Sequence, residues 1–274
     1  MVGVTVLDVS SWGGKSLPGQ DELPCDDAEP METAFHHAQG HVLIDSLGLA
    51  WKERSDFYVA GNMFVYFSEH QVKRNDFRGP DVFLVLGTER KPRKSWVAWE
   101  EGGKLPDVVI EVTSESTQAV DRGDKMRLYA TVWRTPAYFI FDPETDGLEG
   151  YRLDVDRLEY SPLALDERGD FDVAPMKLKL GLRQTQYREH ERLFVRWLDP
   201  RGEPLPLPHE LTLSARQSER RALARADAEQ RRAEEERQRA EGERLRAERA
   251  QAERDQALAR VGELEAQLAK AKRE

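Results

Sequence analysis

Three residues of the 274-residue chain carry chemistry by their type and setting: Asp81, Glu111 and Lys125. Asp81 follows a proline at the mouth of the apolar run GPDVFLVLG, residues 79–87. The stretch LPDVVIEVTSEST, residues 105–117, opens with the same Pro-Asp pair at Asp107 and carries Glu111 inside an almost continuous apolar run. Such a run is the pattern of a central strand covered on both faces, where an unpaired carboxylate costs several kcal/mol. Glu111 therefore needs a cation. In AVDRGDKMRLYATVW, spacings of three and four place Asp121, Lys125, Leu128, Tyr129 and Val132 on one helical stripe, with Lys125 at the margin of its buried side. If the two strands are antiparallel neighbours, the start of the first lies beside the far end of the second and the carboxylates meet. Two acids so placed repel unless a proton or a metal lies between them. Hard ions such as Mg²⁺ use one or two carboxylates plus waters and phosphate oxygens, and activate water for attack on phosphorus.

Each residue also has a plainer explanation. Pro-Asp at the mouth of a strand is common turn chemistry, which covers Asp107 more readily than Asp81. Lys125 can pair with Asp121 one turn earlier as a solvated ion pair worth a few tenths of a kcal/mol. His36, His37 and His41 lack the glutamate of a His-Glu-x-x-His motif and read as surface or packing residues. Ser114, Ser116 and Thr117 read as helix caps. The basic, tryptophan-bearing connection 88–104, with Arg90, Lys91, Arg93, Lys94, Trp96 and Trp99, reads as a surface loop with some capacity to touch nucleic acid. No Gly-x-Ser-x-Gly elbow and no Gly-x-x-x-x-Gly-Lys phosphate loop occurs, so serine-hydrolase and nucleoside-triphosphatase chemistry have no support.

The elements that position the three residues can be read from periodicity. Residues 31–53 read as one helix, FYVAGNMFVYF as one strand, and the Asp81 and Glu111 segments as strands. The Lys125 helix, a buried strand AYFIFDP and an edge strand LEGYRLD come next, followed by short strand-like and turn-like pieces over 155–213. Helix, strands, helix, strands is the order of a mixed α/β fold with a central sheet flanked by helices. The expected organisation is an irregular lead-in over 1–30, a globular domain over 31–210 and a charged helix over 214–273.

Composition bounds the partners. From residue 214 the chain has no proline and no aromatic residue, and its 16 basic and 14 acidic residues balance at +2. The preceding residues hold 25 basic and 37 acidic side chains, a balance of −12, which argues against broad electrostatic attraction to nucleic acid. The single cysteine, Cys25, excludes an intramolecular disulfide framework. No apolar stretch approaches the roughly 20 residues of a membrane span, and a cytoplasmic location is expected. In the tail, Glu234, Glu235, Glu241 and Glu243 stand three or four residues before arginines that can pair with them, and alanines repeat every seven residues from Ala226 to Ala247. Leu258, Val261, Leu264 and Leu268 then adopt the spacing of a short coiled coil, which favours a homodimer through this helix, with a solvated single helix as the plainer alternative.

The ordered series GPDVFLVLG, PDVVIEVTSEST, DRGDKMRLYA and AYFIFDPETDGLEGYRL resembles the bacterial Uma-two family of predicted restriction endonucleases, a branch of the PD-(D/E)XK nuclease superfamily, over roughly residues 20–205. The resemblance implies a restriction-endonuclease-like core that hydrolyses phosphodiester bonds in DNA. It also implies Asp81 and Glu111 as ligands of Mg²⁺, or of Mn²⁺ in its place. Thr113 stands where the superfamily pattern has its lysine, and the family moves that lysine to the following helix, where Lys125 matches. The role so implied is to orient or help deprotonate the attacking water and to stabilise charge on the phosphate. The alternative is a non-catalytic nuclease-fold protein that recruits partners through the coiled coil, a reading motivated by the acidic body and the displaced lysine.

Overall fold

The computed structural model describes residues 18–23, 33–68 and 79–271, with side chains of the last helix described to residue 265. Most of the expected lead-in, Cys25 and the Leu268 side chain lie outside the described residues. The chain divides into two units, Met1–Glu210 and Leu211–Glu274. In the first, a six-stranded sheet runs in the order β1-β3-β5-β6-β7-β8, formed by Phe57–Ala60, Val82–Leu86, Val108–Val112, Ala137–Asp142, Gly147–Asp154 and Glu159–Pro162. It is mixed: β5 and β6 are parallel, whereas β3 runs antiparallel to β5 and β7 to β6.

Helix α1, Ala34–Ala50, covers one face, burying Ala38, Val42, Leu43 and Leu47 with Val82, Leu84, Val108, Ile110 and Val112 of the sheet. A three-stranded antiparallel sheet, in the order β11-β10-β9 (His190–Leu198, Leu178–Tyr187 and Phe171–Val173), closes the same core. The Gln39 side chain clasps β11 by donating to the Val195 carbonyl and accepting from its N–H. A helical segment over 118–133, α2, covers the other face, where Tyr129 and Trp133 meet Phe83, Val85, Val109, Tyr138 and Ile140.

The mixed α/β class read from the sequence is the one observed, with differences in four elements. FYVAGNMFVYF is two strands, because the chain turns at Gly61 and Asn62. A Cβ on Gly61 would lie 2.5 Å from the Asp81 carbonyl oxygen, and Asn62 adopts φ +49°. The second piece, β2 (Val65–Tyr66), pairs in parallel with β4 (Trp96–Val97) as a separate two-stranded sheet. The connection 88–104 is therefore no simple surface loop: Trp96 is fully buried, and Arg93 is wedged against the Tyr58 and Trp96 rings and paired with Glu101. LEGYRLD is not an edge strand, since the hairpin through Leu158 adds β8 outside it.

The fourth difference bears on the site. Segment α2 alternates α-helical and π-helical stretches, the latter at Asp121–Lys125 and Tyr129–Trp133. A π turn inserts a residue into the helical repeat and rotates every later side chain about the axis. So Trp133 is buried at 4% exposure, while Val132, expected on the inner stripe, is 48% exposed. Thr117, beside the helix start, places no side-chain cap on it. Its Oγ1 instead accepts from the Ser114 N–H, so the hydroxyl cluster knits the β5–α2 turn.

The last helix, α3, spans Pro208–Ala271. Within the first unit its start is fixed by Glu210, which accepts from the buried Arg196 guanidinium and from the Leu207 N–H. Leu258, Val261 and Leu264 are each more than half exposed. The expected glutamate–arginine pairs do not form among the described residues; the ion pair observed in this unit is Arg244–Glu248. Among the described residues no helix is long and apolar enough to cross a membrane.

Candidate metal centre

The antiparallel ladder between β3 and β5 ends with Val82 opposite Ile110, so Asp81 and Glu111 stand opposite each other just beyond the last paired rung. Side chains then replace main chain. The Asp81 carboxylate accepts from the Val112 N–H (2.6 Å), and Glu111 Oε2 accepts from the Asp81 N–H (3.2 Å). The two acids thus extend the strand pairing, each orienting the other. The Gly61 turn sets the height of Asp81, because Asn62 donates its N–H to the Pro80 and Asp81 carbonyls.

Glu111 is fully buried, and α2 supplies its remaining partners. The Tyr129 hydroxyl donates to Oε1 at 2.7 Å, and Lys125 Nζ lies 3.2 Å from Oε2. Lys125 also lies 2.9 Å from Asp121 Oδ1. Asp121 itself is buried, and its carbonyl accepts from the Tyr138 hydroxyl at 2.9 Å, which ties the start of α2 to β6. Three carboxylates and one ammonium therefore meet between the sheet and α2.

Burial pushes the Glu111 carboxyl up to about 8. The Lys125 ammonium opposes that rise, and the charges of Asp81 and Asp121 add to it. Burial works against the charge on Lys125, but Glu111, Asp121 and Asp81 together outweigh it and raise its pKa. Burial, and next the charge of Glu111, hold the Tyr129 phenol well above its ordinary range, so it stays a donor. The pocket thus lowers its excess negative charge with a proton on Glu111, and a cation would do the same.

Among the described residues no three His, Cys, Asp or Glu side chains form a ready-made metal cage. The donors present fit a different pattern. Two carboxylates at one sheet end offer hard oxygen ligands, the number Mg²⁺ takes when waters and phosphate complete its shell. With all three carboxyls ionised against one ammonium, the formal charge is −2, which one divalent ion cancels.

All three sequence-predicted residues, Asp81, Glu111 and Lys125, come together here. The Lys125–Asp121 pair is not solvated as expected: the two side chains are 22% and 2% exposed. Asp107 is a strand clamp, accepting from the Leu86 N–H at 2.7 Å. His36 is buried and bonds to Thr33 Oγ1, and His41 is exposed on α1. Sequence reasoning missed the hydroxyl of Tyr129 as a partner of Glu111 and the burial of Asp121, although both lay on the stripe with Lys125.

Comparison with known proteins gives a family and structural neighbours. The family model Uma2, described as "Putative restriction endonuclease", matches residues 25–186. A crystal structure from Anabaena variabilis, described as that of "a putative nuclease belonging to DUF820", is similar at 16% identity and a TM-score of 0.38, covering 54% of this chain and 87% of that one. No curated protein matches.

Proposed function

Since the chain belongs to the Uma2 family, whose description is "Putative restriction endonuclease", we propose that it is a Mg²⁺-dependent endonuclease that hydrolyses phosphodiester bonds in DNA. The observation that carries this reading is the meeting of Asp81, Glu111 and Lys125 at one sheet end. Asp81 and Glu111 would hold Mg²⁺, or Mn²⁺ in its place. Bound there, the ion supplies Lewis-acid polarisation of the phosphate and a more acidic water. Lys125, the cation nearest the two acids, orients the attacking water and stabilises charge on the phosphate. Tyr129 keeps Glu111 turned toward Asp81 by occupying its Oε1.

The test is cleavage of supercoiled and linear DNA with Mg²⁺ or Mn²⁺ by the wild type, Asp81→Asn and Glu111→Gln. Amide replacements are required because Glu111→Ala would strand the Asp81 N–H, the Tyr129 hydroxyl and the Lys125 ammonium. Cleavage by the wild type alone supports the reading. The full burial of Glu111 among three protein partners favours a second reading, a nuclease-fold protein that binds without cleaving. Binding of DNA with no cleavage by any of the three chains would establish that reading instead.

The tail completes the proposal. Exposed Leu258, Val261 and Leu264 support a homodimer through α3, and Val261→Lys should shift the chain to monomer in sedimentation equilibrium. A cytoplasmic location belongs to the same reading, consistent with a single cysteine.

A further inference from the structure

We propose that Lys125 is the resident cation of this site in the absence of metal, and that it releases Glu111 to an entering divalent ion by shifting onto Asp121, which takes one of its three N–H donors and leaves the others for the attacking water. The inference rests on the reading of Asp81 and Glu111 as the ion's ligands. Nζ sits between two carboxylates, 3.2 Å from Glu111 Oε2 and 2.9 Å from Asp121 Oδ1. With Glu111 Oε1 taken by the Tyr129 hydroxyl, Oε2 is the oxygen left to an ion, and the ammonium stands on it. An ammonium and a divalent ion cannot both touch one carboxylate oxygen without strong repulsion, because little water is present to screen them. Lys125 must yield Glu111 when the ion arrives.

Asp121 provides the second seat. It is one turn away on the same helix, its side chain is 2% exposed, and its Oδ1 already lies nearer to Nζ than Glu111 Oε2 does. A buried carboxylate oxygen gains when the ammonium turns toward it. On its other side Lys125 lines a hollow of about 400 Å³ with Phe67, Asp124 and Leu128, so its stem is not packed in on all sides. The four-carbon stem allows the move without displacement of α2. Asp121 is then a positioning residue that acts on the ion only through Lys125.

Mn²⁺ affinity of the full chain, measured by calorimetry without DNA, tests this. Lys125→Met removes the competitor and should bind Mn²⁺ at least as tightly as the wild type. Asp121→Asn removes the second seat, holds the ammonium on Glu111 and should weaken binding about tenfold, the scale of an outer-shell substitution. The double variant Asp121→Asn/Lys125→Met should return to the affinity of Lys125→Met alone. An Asp121→Asn loss that persists in the Lys125→Met background overturns the proposal, as does weaker binding by Lys125→Met. If Asp121→Asn does not fold, Lys125→Met compared with wild type decides by itself. Failure of the wild type and both variants to bind Mn²⁺ overturns the metal reading together with the proposal, a pattern distinct from the others.

Discussion

Tyr129→Phe removes one oxygen from a fully buried pair and leaves the ring that packs on Trp133 and Tyr138. The change therefore isolates the hydrogen bond to Glu111. Its cost depends on the charge of that carboxyl, which burial raises to about 8. At pH 6 Glu111 carries a proton and the bond is neutral, so its loss costs about 1 kcal/mol. At pH 9 Glu111 is ionised while Tyr129, held well above its ordinary value, still donates, and the loss grows to about 2 kcal/mol. For a unit the size of Met1–Glu210, each kcal/mol moves the midpoint by about 2–4 °C, which predicts falls of about 2–4 °C at pH 6 and 4–8 °C at pH 9. All six tryptophans precede residue 214, so tryptophan fluorescence tracks this unit without signal from the tail. In a Glu111→Leu background the hydroxyl has lost its acceptor and Tyr129→Phe should be neutral or stabilising. An equal fall at both pH values, or one that survives in the Glu111→Leu background, refutes the assignment.

Because Glu111 holds its proton to higher pH in the fold than its ordinary 4.5, the folded state binds more protons between about 4.5 and 8. Its contribution to stability is complete below that window and is lost as pH rises through it, at up to about 1.4 kcal/mol per unit; urea titrations of Glu111→Gln should lack that slope. Gly61→Ala would drive a Cβ against the Asp81 carbonyl and should cost about 1–3 kcal/mol in urea unfolding while weakening Mn²⁺ binding, with unchanged Mn²⁺ affinity contradicting the role given to this turn. Arg93→Met leaves Glu101 without its closest partner and should cost about 3 kcal/mol by urea unfolding, whereas DNA affinity should not change, since the guanidinium is buried against rings.

The part of the site that depends on strand periodicity was legible in the sequence. A continuous apolar run containing one acid demanded a buried strand and a cation, and antiparallel pairing then forced Asp81 and Glu111 together. Lys125 was legible because it lay one turn from Asp121 and one turn from Tyr129. The phase of α2 beyond it could not be read. A π turn depends on tertiary contacts such as the Tyr138 hydroxyl on the Asp121 carbonyl, and a regular 3.6-residue repeat sends Val132 inward in place of Trp133. The sheet formed by β2 and β4 was hidden for a related reason: each strand has two residues, too few to show alternation, and Arg93 looked like a solvent cation because its aromatic partner Tyr58 lies 35 positions away.

The two carboxylates that stand in for ladder rungs between β3 and β5 have a consequence for how this chain diverges. Asp81 and Glu111 close the sheet whatever else they do. A relative without metal chemistry would keep a hydrogen-bond acceptor at both positions for as long as it kept the fold. Asparagine at 81 or glutamine at 111, which still accept an N–H but carry no charge, are the substitutions that this pairing tolerates best.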